Sequence, residues 1–148
     1  MTRAGVSVPL LATLLEAEHA TVYGYGVLGA RLDDERRERA RLAHDSHRAR
    51  RDQLDRLLRE RGVDPEPSEP AYEVDARTPE AAIALALRLE EGLAVRWRDL
   101  VLGTSSGPGD APLRSLAVAG LTECAVRAAQ WRQAAGVVPS TVALPGTG

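Results

Sequence analysis

Phenylalanine, lysine and asparagine are absent from this 148-residue chain, cysteine and methionine occur once each, and aromatic residues make up only 3 %. A single cysteine, Cys124, excludes an intramolecular disulfide. The fold therefore owes nothing to an oxidising compartment, and a reduced cytoplasm is the expected location. All 19 basic residues are arginine, a bias we assign to GC-rich codon usage and give no chemical weight. Long apolar runs are missing too: Val6 to Leu15 is broken by Pro9 and followed at once by Glu16, Glu18 and His19. No stretch approaches the roughly 20 apolar residues of a spanning helix, and no cleavage site follows a basic leader. Neither a membrane segment nor a targeting segment is expected. Strand signals are lacking throughout.

What remains is the composition of one globular domain, 44 % hydrophobic and 27 % charged, with a formal net charge of -2. Four segments of helical composition are separated by stop and start signals. They predict helices over 9–32, 34–61, 79–102 and 111–135. Ser7 with Pro9 opens the first, and Asp33 or Asp34 caps the second. Thr78-Pro79-Glu80 places a hydroxyl cap before a first-turn proline, and Asp110 with Pro112 repeats the device. Gly62, Gly103 and Gly136 supply the C-terminal ends. The turn between helices one and two is short, which makes them antiparallel neighbours. Segment 63–78, VDPEPSEPAYEVDART, reads as an extended loop that could reach about 50 Å, against about 35 Å for a 23-residue helix. It permits a crossover along the whole length of a bundle. The domain is expected over 1–136, with 137–148 as a Pro- and Gly-rich tail that lies along the helices or frays.

Helical periodicity places polar groups among the apolar ones. In helix one Leu11, Leu14, Leu15, Val22, Tyr25, Leu28 and Leu32 form one stripe, with Glu18 at its centre and His19 on its flank. In helix two Ala40, Ala43, Leu54, Leu57 and Leu58 define the apolar face, with His47 near its middle and His44 toward the edge. In helix three Ile83, Leu87, Leu89, Leu93, Trp97, Leu100 and Val101 flank Glu90. Axial level agrees: Glu18 lies 15 residues before the turn at Asp33, His47 lies 14 after it, and Glu90 is near the middle of its helix. Helix four faces the core with Leu113, Ala117, Leu121, Cys124, Ala128 and Trp131. Its Glu123 points more than 90° away, and Val126 stands where a histidine three residues later would be.

Buried carboxylates demand a partner. A divalent metal would take Glu18, His47 and Glu90, with His44 one turn before His47 as a fourth ligand. Arg50 or Arg51, one turn beyond His47, could instead neutralise the carboxylates as a structural network. One glutamate could also be held protonated by burial.

The stretches AEHATVYGYGVLGARL, AHDSHRARRDQL and ALRLEEGLAVRWRDLV resemble a small bacterial ferritin-like family of unestablished function, within the ferritin-like superfamily of four-helix bundles. The resemblance spans about Leu10 to Trp131. It implies an all-α bundle with a long crossover between helices 2 and 3. Di-iron members use one Glu from each of two helices and Glu-x-x-His from each of the other two. Glu18 and Glu90 match the single carboxylates and His47 matches the first motif's histidine. His44 stands in place of that motif's glutamate, and Glu123 lacks its histidine. A degenerate, mononuclear site for iron, manganese or zinc is the implied form, with metal ligands Glu18, His44, His47 and Glu90.

Two functions stay open: a metal-binding bundle protein, and a non-catalytic helical assembly or interaction module with an arginine-neutralised polar core. A homodimer is expected in either case. Nucleic acid is not an expected partner, because the ten arginines between Arg36 and Arg61 are offset by eight acids from Asp33 to Glu60. Pairs such as Asp52 with Arg56 and Asp55 with Arg59 have the acid-first spacing of a solvated helix. The Gly24, Gly26 and Gly29 spacing marks close helix approach rather than phosphate binding, since no strand precedes it.

Overall fold

The computed structural model describes residues 4–147, with side chains from Ser7 onward. The expected domain start at residue 1 and the last tail residue, Gly148, lie outside the described residues. Four helices, α1 (Ala4–Leu28), α2 (Asp34–Glu60), α3 (Pro79–Gly103) and α4 (Ala111–Ala134), account for most of the chain, and no strand occurs among the described residues. Helix α1 packs on α2 and α3, and α3 packs on α4. None of these helices is long and apolar enough to cross a membrane.

Local chemistry explains most boundaries. The Asp33 carboxylate accepts from Arg36 N–H at 3.0 Å and caps α2, and the Thr78 hydroxyl accepts from Ala81 N–H at 3.1 Å and caps α3. Gly62 (φ +75°) and Gly136 (φ +74°) end α2 and α4 in the left-handed region that glycine tolerates. Three expectations are corrected. Helix α1 begins at Ala4, so Pro9 lies inside it rather than opening it. Asp110 holds the N-cap position of α4 as expected, but its side chain makes no capping hydrogen bond; its carboxylate accepts from Ser105 N–H at 2.7 Å and ties the preceding loop. Gly103 is still helical, and the cap beyond it is Thr104 in extended conformation.

The core forms two clusters. One joins Leu11, Leu14 and Leu15 of α1 to Leu54 and Leu58 of α2, Leu93, Trp97 and Leu100 of α3, and Leu113, Ala117 and Cys124 of α4. The other joins Tyr25 and Leu28 to Ala40 and Ala43, Ala82, Ile83 and Ala86, and Trp131. The loop between α2 and α3 touches both, through Val63 in the first and Val74 and Ala76 in the second. Gly120 is required where α4 crosses Trp97, because any β-carbon there would run into the indole ring.

Helices α2 and α4 do not approach closely along their backbones, and long arginines bridge the seam. The Arg50 guanidinium makes a two-pronged contact with Glu123 (2.5 and 3.1 Å) and lies 5.9 Å over the Trp97 ring. Arg127 donates to Ser46 Oγ, and Arg39 stacks 5.8 Å over Trp131. The outer arginines of α2 are paired locally, Arg41 with Glu38 and Asp45, Arg59 with Asp55 and Asp64. Asp52 pairs with its neighbour Arg51 rather than with Arg56, one turn on.

Candidate functional site

At the junction of the two clusters the structure brings Glu18 of α1, His47 of α2 and Glu90 of α3 together. Glu18 and Glu90 are 0 % exposed and His47 is 1 % exposed. His47 Nδ1 lies 2.8 Å from Glu18 Oε2, and His47 Nε2 lies 2.8 Å from Glu90 Oε1. The imidazole is thus clamped edge to edge between two carboxylates from different helices. The equal heights of Glu18 and His47 on antiparallel neighbours make the first contact, and the mid-helix position of Glu90 makes the second.

Further groups complete a buried network. The Tyr25 hydroxyl donates to Glu90 Oε1 at 2.6 Å and accepts from Trp131 Nε1–H at 2.8 Å. The Tyr25 ring stacks on the imidazole, with centroids 5.4 Å apart and planes 23° apart. Arg127 of α4 places Nη1 4.0 Å from Glu90 Oε2, an ion-pair distance without a hydrogen bond. Glu18 Oε1 and Glu90 Oε2 are buried without a hydrogen-bond partner.

This geometry decides the protonation of His47. A neutral imidazole has one N–H donor and one lone pair, so one edge would set a lone pair against a carboxylate oxygen. Glu90 Oε1 already accepts from Tyr25, which fixes it as an acceptor. With a carboxylate at each ring nitrogen, the form that satisfies both contacts by donation is the imidazolium. Burial alone would lower its pKa, but the hydrogen bonds and negative charges of Glu18 and Glu90 outweigh burial and raise it to about 9. Burial, then the charge of Glu90, pushes the Tyr25 hydroxyl well up, and burial with the charges of Glu90 and Glu18 does the same to the Cys124 thiol.

His44 stands apart. Its ring is half-buried, with Nε2 placed over Gly26 and Nδ1 3.9 Å from the Asp45 carboxylate, and it makes no hydrogen bond to Glu18, His47 or Glu90. The expectation that Arg50 or Arg51 neutralises the carboxylates is corrected: Arg50 is committed to Glu123 and Arg51 to Asp52. The seam to α4 draws Arg50 outward, and the cation nearest Glu90 besides His47 comes from α4. Arg127 escapes a reading of that helix confined to carboxylates and histidines. Its position, three residues after Cys124 and four before Trp131 on the inward stripe, was the available signal.

Glu18 and Glu90 meet the His47 ring at different nitrogens, Nδ1 and Nε2. Among the described residues, no group of three or more His, Cys, Asp or Glu is disposed to hold a metal ion.

A four-helix chain with a buried polar centre is the class that these features define. The family described as Domain of unknown function (DUF4439) matches residues 11–148, and the chain belongs to that family. Among solved structures, the chain is similar to a conserved hypothetical protein, rv2844, from Mycobacterium tuberculosis. The two are 32 % identical with a TM-score of 0.82, over 97 % of this chain and 100 % of that one. No curated protein matches.

Proposed function

We propose that this chain is a ferritin-like four-helix bundle whose metal centre has been replaced by a histidine-bridged salt network, and that it acts as a non-catalytic assembly or interaction module. The observation that carries this is the engagement of both His47 ring nitrogens by different carboxylates at 2.8 Å. Metal ligation needs an imidazole lone pair, and this arrangement leaves none. The two core clusters support the crossover. They group the start of α2 with the start of α3 and the end of α2 with the end of α3, so that the intervening loop runs the length of the bundle. The local pairing of the α2 arginines supports a solvated helix rather than a nucleic-acid face. The free, buried Cys124 suits a reducing cytoplasm.

A second reading has its own observation. Glu18 Oε1 and Glu90 Oε2 are buried and unpartnered, and a divalent iron, manganese or zinc ion is one way to satisfy such oxygens. His47 would have to release one carboxylate to join it. The test is metal content of protein purified without chelator, together with the melting midpoint with and without a chelator. Substoichiometric metal and an unchanged midpoint are expected. One metal per chain with a midpoint that falls on chelation would overturn the first reading and establish the second.

A further inference from the structure

Away from the salt network, a cavity of about 560 Å³ lies between α3, α4 and the C-terminal tail. That is the size range of small-molecule sites. Gly92 and Val95 of α3 and Ala125 and Ala128 of α4, each pair three residues apart on one helix face, line it, and Val142 and Leu144 of the tail border it. The tail is held at both ends of this stretch. Arg132 Nη1 donates to the Ser140 carbonyl at 3.4 Å, and Gly146, at φ +81°, sits so close to α3 that a β-carbon would come within 2.8 Å of the Ala94 carbonyl oxygen. A side chain at 146 would lift the tail off the helix.

Gly92 is the informative residue. Glycine inside a helix lowers its stability relative to alanine, and glycines are kept there when a neighbour needs the room. A β-carbon at 92 meets nothing within 4 Å. Packing within the chain therefore does not require this glycine, and the space above it is the cavity. The polar groups of the rim are unequal. Arg132 is engaged by the Ser140 carbonyl and is charge-paired with Glu91, whose Oε1 is 2.7 Å from Nη2. Arg88, one turn before Gly92 on the same face, has no hydrogen bond or ion pair among the described residues. An apolar trough with one uncommitted cation at its edge fits a molecule with an apolar body and a single negative head.

We propose that this cavity binds an apolar monocarboxylate, with the body between α3, α4 and the tail and the carboxylate on Arg88. The probe is decanoate, titrated calorimetrically into the full chain, with decyltrimethylammonium as the charge-reversed control. Saturable binding at one site per chain is expected for decanoate and none for the cation. Arg88→Gln should weaken decanoate by on the order of tenfold, the size of one charge-assisted contact. Gly92→Leu should fill the cavity and abolish binding, while helical circular dichroism and the melting midpoint stay at or above the parent values. Lack of saturable decanoate binding at about 1 mM, equal binding of the cation, or binding that survives Gly92→Leu would each overturn the proposal. So would a concentration-dependent dimer that Gly92→Leu disrupts, which would assign the cavity to a second copy of the chain.

Discussion

Replacing His47 with alanine removes the one cation that touches both buried carboxylates, and its cost can be worked in two ways. Breaking a buried pair by deleting one partner leaves uncompensated charge and costs about 3–5 kcal/mol. Independently, the rise of the His47 pKa from 6.5 to about 9 corresponds to about 3 kcal/mol of stabilisation. The sign follows from the direction. A group whose pKa is raised in the folded state contributes fully below its unfolded value, and that contribution is lost as pH rises through the folded value. The parent should therefore be most stable below about pH 6.5 with respect to this group and should lose about 3 kcal/mol as pH climbs through about 9. Urea unfolding followed by the fluorescence of Trp97 and Trp131, at several pH values between about 6 and 10, reads both effects. His47→Ala should cost about 3–5 kcal/mol near neutral pH and flatten the decline in that window. A loss below about 1 kcal/mol, or a parent whose stability is level across the window, would refute the imidazolium assignment.

Tyr25→Phe removes the 2.6 Å bond to Glu90 and leaves the buried Trp131 N–H without an acceptor; a loss of about 1–3 kcal/mol is expected in the same unfolding assay. Glu90→Gln takes one carboxylate from the clamp, so the His47 pKa should fall back from about 9 toward 6.5 in an NMR titration. Gly120→Ala forces α4 off the Trp97 ring and should cost about 1–3 kcal/mol with a shifted tryptophan emission. Arg50→Ala, which breaks a contact to a Glu123 side chain that is 40 % exposed, should cost less than about 1 kcal/mol despite its short distance.

The helices were legible where local chemistry acts alone. Asp33 and Thr78 cap as their side chains dictate, and Gly62 and Gly136 terminate because the chain needs positive φ there. Pro9 misled because a proline is compatible with a helix's first turn yet does not require one, and α1 begins five residues earlier. Asp110 misled because a competing backbone donor, Ser105, lies in the adjoining loop. The inward placement of Glu18, His47 and Glu90 could be read from periodicity and the height argument. Their mutual hydrogen bonding could not, since it depends on the rotamer of one imidazole between three helices. Proximity in sequence points to Arg50, on the helix of His47, as the neutralising arginine. Tertiary packing instead sends Arg50 to Glu123 and brings Arg127 across from α4. Periodicity marks Tyr25 as a core aromatic, and its second role as donor to Glu90 follows only from the contact between α1 and α3.

Nitrogen NMR of His47 in the full chain near neutral pH tests most directly whether two acids hold one protonated ring in a dry interior. Protons on both Nδ1 and Nε2, with resonances unmoved by chelator or by added divalent metal, are the predicted result. A ring nitrogen that carries no proton, or one whose resonance shifts or broadens on stoichiometric metal addition, would contradict the account.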